Sequence, residues 1–438
     1  MKTSGLSRKI SMQNVRLIIA IILFGACSVA SVSGNVLATA SGKQEPLRFR
    51  WKERSITIAV SSSLTKPNPN IKFDSDVIGA VRRSFETWQN ISGVEFQLEF
   101  TDRQNVSPAG VAGDGVNLIT VAASPENTLF FAKDSQSASG KARVFYNRRG
   151  FITEADIVLN PFQQFSTDGT FGTFDLQSTL THEIGHMLGL RHSGVIGSAM
   201  SDKLPKNGGF GLSAFWPRTL TDSDMTSIRD LYGAGLEANE CCSAIAGKLV
   251  LQSGRPVKNL RVWAEESESG RVIAQTETNS DGSYRLGGLP GGEYRFFWKA
   301  RAESTGTAIG SLGTIQTEID ETKIINQKIS VDPSEIVLNY VGINSQIAES
   351  GISIVSGREQ TIYVGGKNLD ARSTTVDFDS PYLHIVPSSL ANQDFGEDIS
   401  VISFIVTSEA DTPLGVYSIF ATGKDGSRTS LIGAIRVE

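Results

Sequence analysis

Cysteine and histidine are scarce in this chain of 438 residues, three of the one and four of the other. So few cysteines exclude the disulfide framework that staples small secreted domains, and each folded unit must be held by its own core. No cluster of lysine or arginine occurs, and the formal net charge is -5. Nucleic acid and anionic lipid are therefore poor partners on charge grounds. Proline is sparse, 14 residues against 43 glycines, a balance that favours strands and turns over long helices. Long apolar runs are missing too, with one exception near the start, Leu17–Phe24.

That run follows Lys2, Arg8, Lys9 and Arg16 and precedes small residues ending in Ala38-Thr39-Ala40. A basic head, an apolar centre and an A-x-A site describe an export signal, so residues 1–40 are expected to be removed and the product to be extracellular. The run is short for a bilayer span, which needs about 20 residues. Two alternatives stay open: retention as a membrane anchor, since no charge falls between Arg16 and Lys43, and lipid attachment at Cys27. Of the remaining cysteines, Cys241 and Cys242 are adjacent. That excludes an ordinary bridge, whose Cα atoms stand roughly 4.4–6.8 Å apart. A vicinal disulfide, an intermolecular link and two free thiols all fit.

The length suggests roughly three domains. Residues 55–60 form a first strand. Val77, Val81, Phe85 and Trp88 then recur at helical spacing, so 76–90 is a helix whose apolar face, Trp88 included, is core. Residues 94–100 alternate strictly, as a half-buried strand does. Further strands are expected at 116–122, 142–146 and 155–159.

Residues 182–192 read His-Glu-Ile-Gly-His-Met-Leu-Gly-Leu-Arg-His, and Met200 follows eight positions later. His182 and His186, four apart, share one face of a helix. Glu183 is too close to the first histidine to join the chelate and is left free to act on a bound water. Gly189 can take the left-handed conformation that ends a helix, letting the chain turn and bring His192 back to the metal. Three imidazoles leave a fourth tetrahedral position open, as a catalytic zinc requires.

This segment resembles the metzincin pattern H-E-x-x-H-x-x-G-x-x-H with its Met-turn. Ser193 after the third histidine is similar to the matrixins, the matrix-metalloproteinase family. Asp175-Leu176-Gln177-Ser178 before the motif agrees, as do Leu220-Thr221-Asp222-Ser223-Asp224 and Ile228–Gly233 after it. The resemblance implies an α+β catalytic domain over 47–236, a twisted, mostly parallel sheet with an active-site helix. It implies Zn²⁺ on His182, His186 and His192, with Glu183 as general base and Met200 as a structural floor. Peptide or protein substrates would add as a strand beside the 142–146 edge. Calcium is common in the family, with Asp114 and Asp156 as candidate ligands.

Three departures limit what carries over. No spare histidine remains in this region for the second, structural zinc of animal matrixins. Met200 is followed by Ser201 and Asp202 rather than Tyr and Pro, so specificity is not inherited. No cysteine-switch propeptide is expected between the signal and Trp51.

Beyond Gly235 only strand and turn patterns occur. Residues 244–330, with strands expected at 245–250, 254–257, 262–264 and 283–286, resemble a carboxypeptidase-regulatory-like or Cna-B-like β-sandwich. Residues 336–438, with strands at 360–364, 401–406, 416–421 and 431–437, resemble an immunoglobulin-like sandwich. His384, alone there, reads as a surface or core histidine. Neither module gathers titratable residues as a catalytic site would, so both are expected to space the protease or dock it on a cell surface or matrix.

The leading expectation is therefore a secreted zinc endopeptidase. A surface adhesion protein with a vestigial protease domain is the alternative, and an intact Glu183 beside three ligands weighs against it. A non-proteolytic zinc hydrolase is a third reading.

Overall fold

The computed structural model describes residues 28–31, 48–108, 112–211, 217–233, 241–300, 306, 307 and 309–438. The expected signal, apart from Ser28–Ser31, lies outside them. So do Cys27 and most of the boundary expected near 236–243. No helix among the described residues is long and apolar enough to cross a membrane.

In the first domain, strands β1 (Ser55–Ser61), β2 (Glu95–Thr101), β3 (Asn117–Thr120), β4 (Gly140–Tyr146) and β5 (Phe151–Leu159) build one sheet in the order β4-β5-β3-β1-β2. All run parallel except β4, which is antiparallel to β5 and forms the margin of the sheet proper. Ser28–Ser31 lies along the outer side of β4, antiparallel to it.

Helix α1 (Val77–Ser92) starts at Asp76, whose side chain accepts the amide of Gly79, and ends at Gly93. Its buried stripe of Ala80, Val81, Phe85 and Trp88 meets Leu180 and Ile184 of α2 (Leu176–Met187) in the same core as Ile58, Val60, Ile119 and Ile157 of the sheet. Helix α3 (Asp222–Tyr232) closes the domain. The first domain thus joins a mostly parallel sheet to helices, and its elements begin and end within a few residues of those expected.

The second unit stacks two sheets. One holds β6 (Cys241–Leu251), β9 (Ser283–Pro290) and β12 (Thr322–Ile329); the other holds β7 (Arg261–Glu266), β8 (Val272–Glu277), β10 (Gly292–Lys299) and β11 (Ile309–Thr317). Residues 254–257, expected as a strand, follow a turn and form only an isolated antiparallel bridge, Pro256 with Val250. The amide of Gly254 returns to Leu251, that of Leu251 reaches Arg255, and Pro256 has no donor for a ladder. Cys241 and Cys242 are joined as a vicinal disulfide.

The third unit is also a two-sheet sandwich. Among its strands are β13 (Val337–Gly342), β14 (Glu359–Lys367), β15 (Ser400–Ser408), β16 (Gly415–Thr422) and β17 (Arg428–Val437), which share one core. Each strand expected there falls inside one of these. His384 is half-exposed, 3.2 Å from Glu409.

The two sandwiches were expected to space the protease or dock it on a surface, and the packing adds that both lie against the first domain. Helix α3 lies against the second unit: Thr226 donates to the carbonyl of Ile273 at 3.0 Å, while Arg271 and Arg285 pair with Asp222 and Asp230, each at 3.1 Å. A Cβ on Gly288 would stand 2.1 Å from the carbonyl oxygen of Thr226, so the contact needs a bare backbone there. The third unit reaches the first domain through Asn344, which donates to the carbonyl of Phe210 at 2.9 Å, and through Lys203–Glu349 at 3.1 Å. An apolar seam of Trp263, Val272, Phe297, Val416, Phe420 and Ile432 joins the two sandwiches, and Val195 of the first domain is buried in it. The composition of each module gave no sign of this docking, because it depends on which faces meet.

Candidate active site

Helix α2 carries the first two histidines. Asp175 caps it by accepting the amide of Ser178 at 2.8 Å, and Arg218 pairs with the same carboxylate. At its other end the carbonyls that no helical amide can reach are taken up by side chains. The indole N–H of Trp51 donates to Met187 at 2.9 Å and the hydroxyl of Tyr232 to Leu188 at 2.8 Å. Gly189 then turns the chain at φ 99°, where a Cβ would lie 2.1 Å from the carbonyl oxygen of Phe49. The reversal brings His192 back.

The three imidazoles converge as their spacing implies. Ring centroids of His182, His186 and His192 are 4.7, 5.0 and 4.8 Å apart, and one nitrogen from each lies within 4.8 Å of the others. The Nε2 atoms of His182 and His186 are 3.1 Å apart. Their Nδ1 atoms face carbonyl oxygens, His182 that of Ala199 and His186 that of Leu190, both at 2.8 Å. A carbonyl only accepts, so Nδ1 carries the proton and Nε2 keeps its lone pair for a metal. Burial, with neighbouring histidines adding to it, holds all three imidazoles down to about 3, so they are neutral, the state a ligand requires.

Glu183 lies beside this set under the start of β4. Burial pushes its carboxyl up to about 8, opposed by the amide of Ala142 and the charge of Lys141. Its Oε2 is buried with no partner in the protein. A Cβ on Gly140 would stand 3.0 Å from Glu183 Cγ, so the strand passes tightly over the carboxylate. The donor set and this orphaned oxygen fit a metal with an activated water.

Met200 is buried where the motif implies, and the contact explains an interior helix glycine that sequence reasoning passed over. A Cβ on Gly185 would lie 2.2 Å from Met200 Sδ and 2.9 Å from Trp88 Cζ2. Trp88, expected as plain core, also donates its indole N–H to the carbonyl of Thr181 at 2.8 Å, one residue before the first ligand.

Asp224 was a second omission. It accepts the amides of Ala199 and Thr221, both at 2.9 Å, and the hydroxyl of Ser198. The Thr221-x-x-Asp224 capping box was its visible signal.

Asp114 and Asp156 lie in one acidic patch with Glu154. Asp156 accepts the amides of Ser107 and Leu118 at 3.0 Å and is raised to about 7 by burial, while Asp114 pairs with Arg103 at 2.5 Å.

Such a donor set suits a metal-dependent hydrolase, and comparison with known proteins bears on this. Residues 50–233 match the Matrixin family model, and residues 244–326 match that of the carboxypeptidase regulatory-like domain. The first domain is thus similar to a matrixin domain. Among curated relatives, "Matrix metalloproteinase-C" of Caenorhabditis elegans is 24% identical over 225 residues, covering 48% of this chain and 33% of that protein. "Metalloendoproteinase 1" of Glycine max is 24% identical over 199 residues, 42% of this chain and 53% of that one. The chain thus spans between a third and about half the length of these relatives. The major pilin subunit BcpA of Bacillus cereus aligns with 43% of this chain and 66% of that one at 11% identity, but its TM-score of 0.16 carries no weight for the fold.

Proposed function

We propose that this protein is an extracellular zinc endopeptidase acting on protein or peptide substrates. One observation carries the reading: three neutral imidazoles turn free nitrogens toward one point, and the buried, unpartnered Oε2 of Glu183 stands beside them. His182, His186 and His192 would hold Zn²⁺, which when bound lowers the pKa of a water from 15.7 toward about 7 and polarises the scissile carbonyl.

The chain's own residues supply the remaining chemistry. Glu183 takes the proton from the attacking water and returns it to the departing amine. Burial favours its protonated form and so favours that uptake. Strand β4 orients the substrate as an added antiparallel strand through main-chain hydrogen bonds. That edge is built to accept one, since Ser28–Ser31 already lies along it in this sense. The strand belongs to the expected signal, so cleavage after Ala40 would clear the edge. Export rests on the basic and apolar pattern of residues 1–40.

The test is zinc analysis and a peptide-library digest of the purified protein beside Glu183→Ala and His186→Ala. Glu183→Ala should keep stoichiometric zinc and lose at least about 100-fold in turnover, whereas His186→Ala should lose the metal as well. Full peptidase activity in Glu183→Ala would sink the assignment.

A further inference from the structure

The short segment between the third ligand and the methionine floor, residues 193–199, belongs to no helix or strand of the first domain. An amide count along it shows what holds it. The N–H of Ser193 goes to the carbonyl of Met200, that of Val195 to Ser193 Oγ, that of Ser198 to the carbonyl of Val195, and that of Ala199 to Asp224. The other three leave the domain altogether. Gly194 donates to Gln275 Oε1 of β8 at 3.0 Å. Ile196 and Gly197 donate to the carbonyls of Ile432 and Gly433 in β17, both at 2.9 Å.

Two successive carbonyls of a regular strand point to opposite sides, so one neighbour cannot ordinarily collect both. Gly433 removes the obstacle. It sits at φ 59°, where the β16–β17 register shifts between Tyr417 and Ile419, a bulge that turns both carbonyls toward residues 196 and 197. A Cβ there would also stand 2.4 Å from Val195 Cγ1. The bulge is fixed in turn by Ser418, whose hydroxyl is 3.3 Å from the amide of Gly433 and donates to Glu265 Oε1 at 2.6 Å. The same oxygen accepts the indole N–H of Trp263 at 2.9 Å. Val195 fills the apolar seam between the sandwiches.

The segment meets the metal-binding histidines at both of its ends. His192 directly precedes it, and the carbonyl of Ala199 accepts Nδ1–H of His182.

We propose that the two β-modules form a clamp that sets the geometry of the zinc ligands, with Gln275 and Gly433 as positioning residues for the metal centre. The proposal rests on the zinc reading above. The modules then belong to the catalytic unit, and the sandwich-to-sandwich seam is where that unit is assembled.

The test uses the full chain loaded with zinc and three variants: Gly433→Ala, Gln275→Ala and Val364→Ala. Val364→Ala opens the core of the third unit without touching the clamp. Zinc release into excess chelator is followed below every melting transition, together with the visible spectrum of the cobalt(II)-substituted proteins. Gly433→Ala and Gln275→Ala should release zinc about tenfold faster or more, the scale on which groups that orient metal ligands act, and should shift the cobalt bands. Val364→Ala should lower Tm yet leave release and spectrum as in the parent. If Gly433→Ala does not fold, Gln275→Ala decides alone, since it removes one acceptor from the clamp. Parent-like release in the clamp variants, or equal acceleration in Val364→Ala, overturns the clamp. A parent chain that takes up no stoichiometric zinc overturns the metal reading and the clamp together, and is told apart by that measurement.

Discussion

His182 and Asp224 are linked through one residue: Ala199 donates its amide to Asp224 Oδ2 at 2.9 Å and accepts Nδ1–H of His182 at 2.8 Å. The carboxylate therefore holds in place the carbonyl that sets the tautomer of His182, without touching the ring. The same carboxylate completes the capping box of α3. Removing it loosens two structures at once.

Asp224→Ala should accordingly weaken zinc binding about 10–100-fold and cost about 1 kcal/mol for the lost helix cap. Asp224→Asn keeps one acceptor oxygen and should fall between the two. Competition with a chelator of known affinity, paired with urea unfolding of the metal-free forms, separates the two effects.

Gly185→Ala sets helix propensity against packing. Alanine should gain up to about 1 kcal/mol in an α-helix. Its Cβ would, however, stand 2.2 Å from Met200 Sδ and 2.9 Å from Trp88 Cζ2, and overpacking of a tight core costs about 1–3 kcal/mol. A net loss of stability is expected, visible as a lower Tm even without zinc. A rise in Tm would show that the floor yields easily.

Glu265 gives a pH dependence whose sign can be worked out. Burial raises its carboxyl from 4.5 to about 7, against the hydrogen bonds from Ser418 and Trp263, with Asp379 raising it further and Arg295 lowering it. The folded state therefore holds a proton that the unfolded state has already released. Its contribution is fully present below about pH 4.5 and is lost as pH rises through about 7, a penalty on the order of 2–3 kcal/mol by pH 8. Asp156 is raised to about 7 as well and adds a slope of the same sign. The informative quantity is thus the difference between the parent and Glu265→Gln. The amide keeps an acceptor for Ser418 and Trp263, so the variant should match the parent near pH 5 and be more stable at pH 8. Parallel Tm-against-pH curves would remove Glu265 from the account.

Deleting residues 244–438 is a sterner test of the docking. A spacer role would leave kcat/KM on short peptides within a few-fold. The packing of Val195, Gly194, Ile196 and Gly197 on the modules leads us to expect a loss of at least about tenfold, since small displacements of reacting groups can cost 100-fold. Expression of 41–243 beside 41–438, assayed on the same peptide, checks it.

The motif, the active-site helix and most strands were legible because each rests on local spacing: histidines at i and i+4, apolar residues on one helical stripe, alternation along a strand. The clamp was not, because Gln275 and Gly433 meet residues 194–197 from far along the chain, and no periodicity encodes that meeting. One trace was there to be read. A lone glycine inside the apolar run Leu431-Ile432-Gly433-Ala434-Ile435 is what a bulge or a close backbone approach leaves in a strand. Gly185 left a similar trace, a poor helix former kept between two ligands. Cys241 and Cys242 were left between three fates because adjacency excludes only the ordinary bridge; their joining is a matter of local backbone shape.

The carbonyls of Ile432 and Gly433 also have a place in time. They follow His192 by some 240 residues, so at about 5–20 residues per second a ribosome needs roughly 10–50 s to make them after the last ligand. A chain threaded head-first through a membrane meets its parts in the same order. On the clamp proposal, histidines come early and their brace comes last, so an unfinished or clipped chain holds its metal loosely. If the chain is the exported peptidase proposed above, its strength is then a property of the completed molecule, which would spare the machinery that makes and exports it.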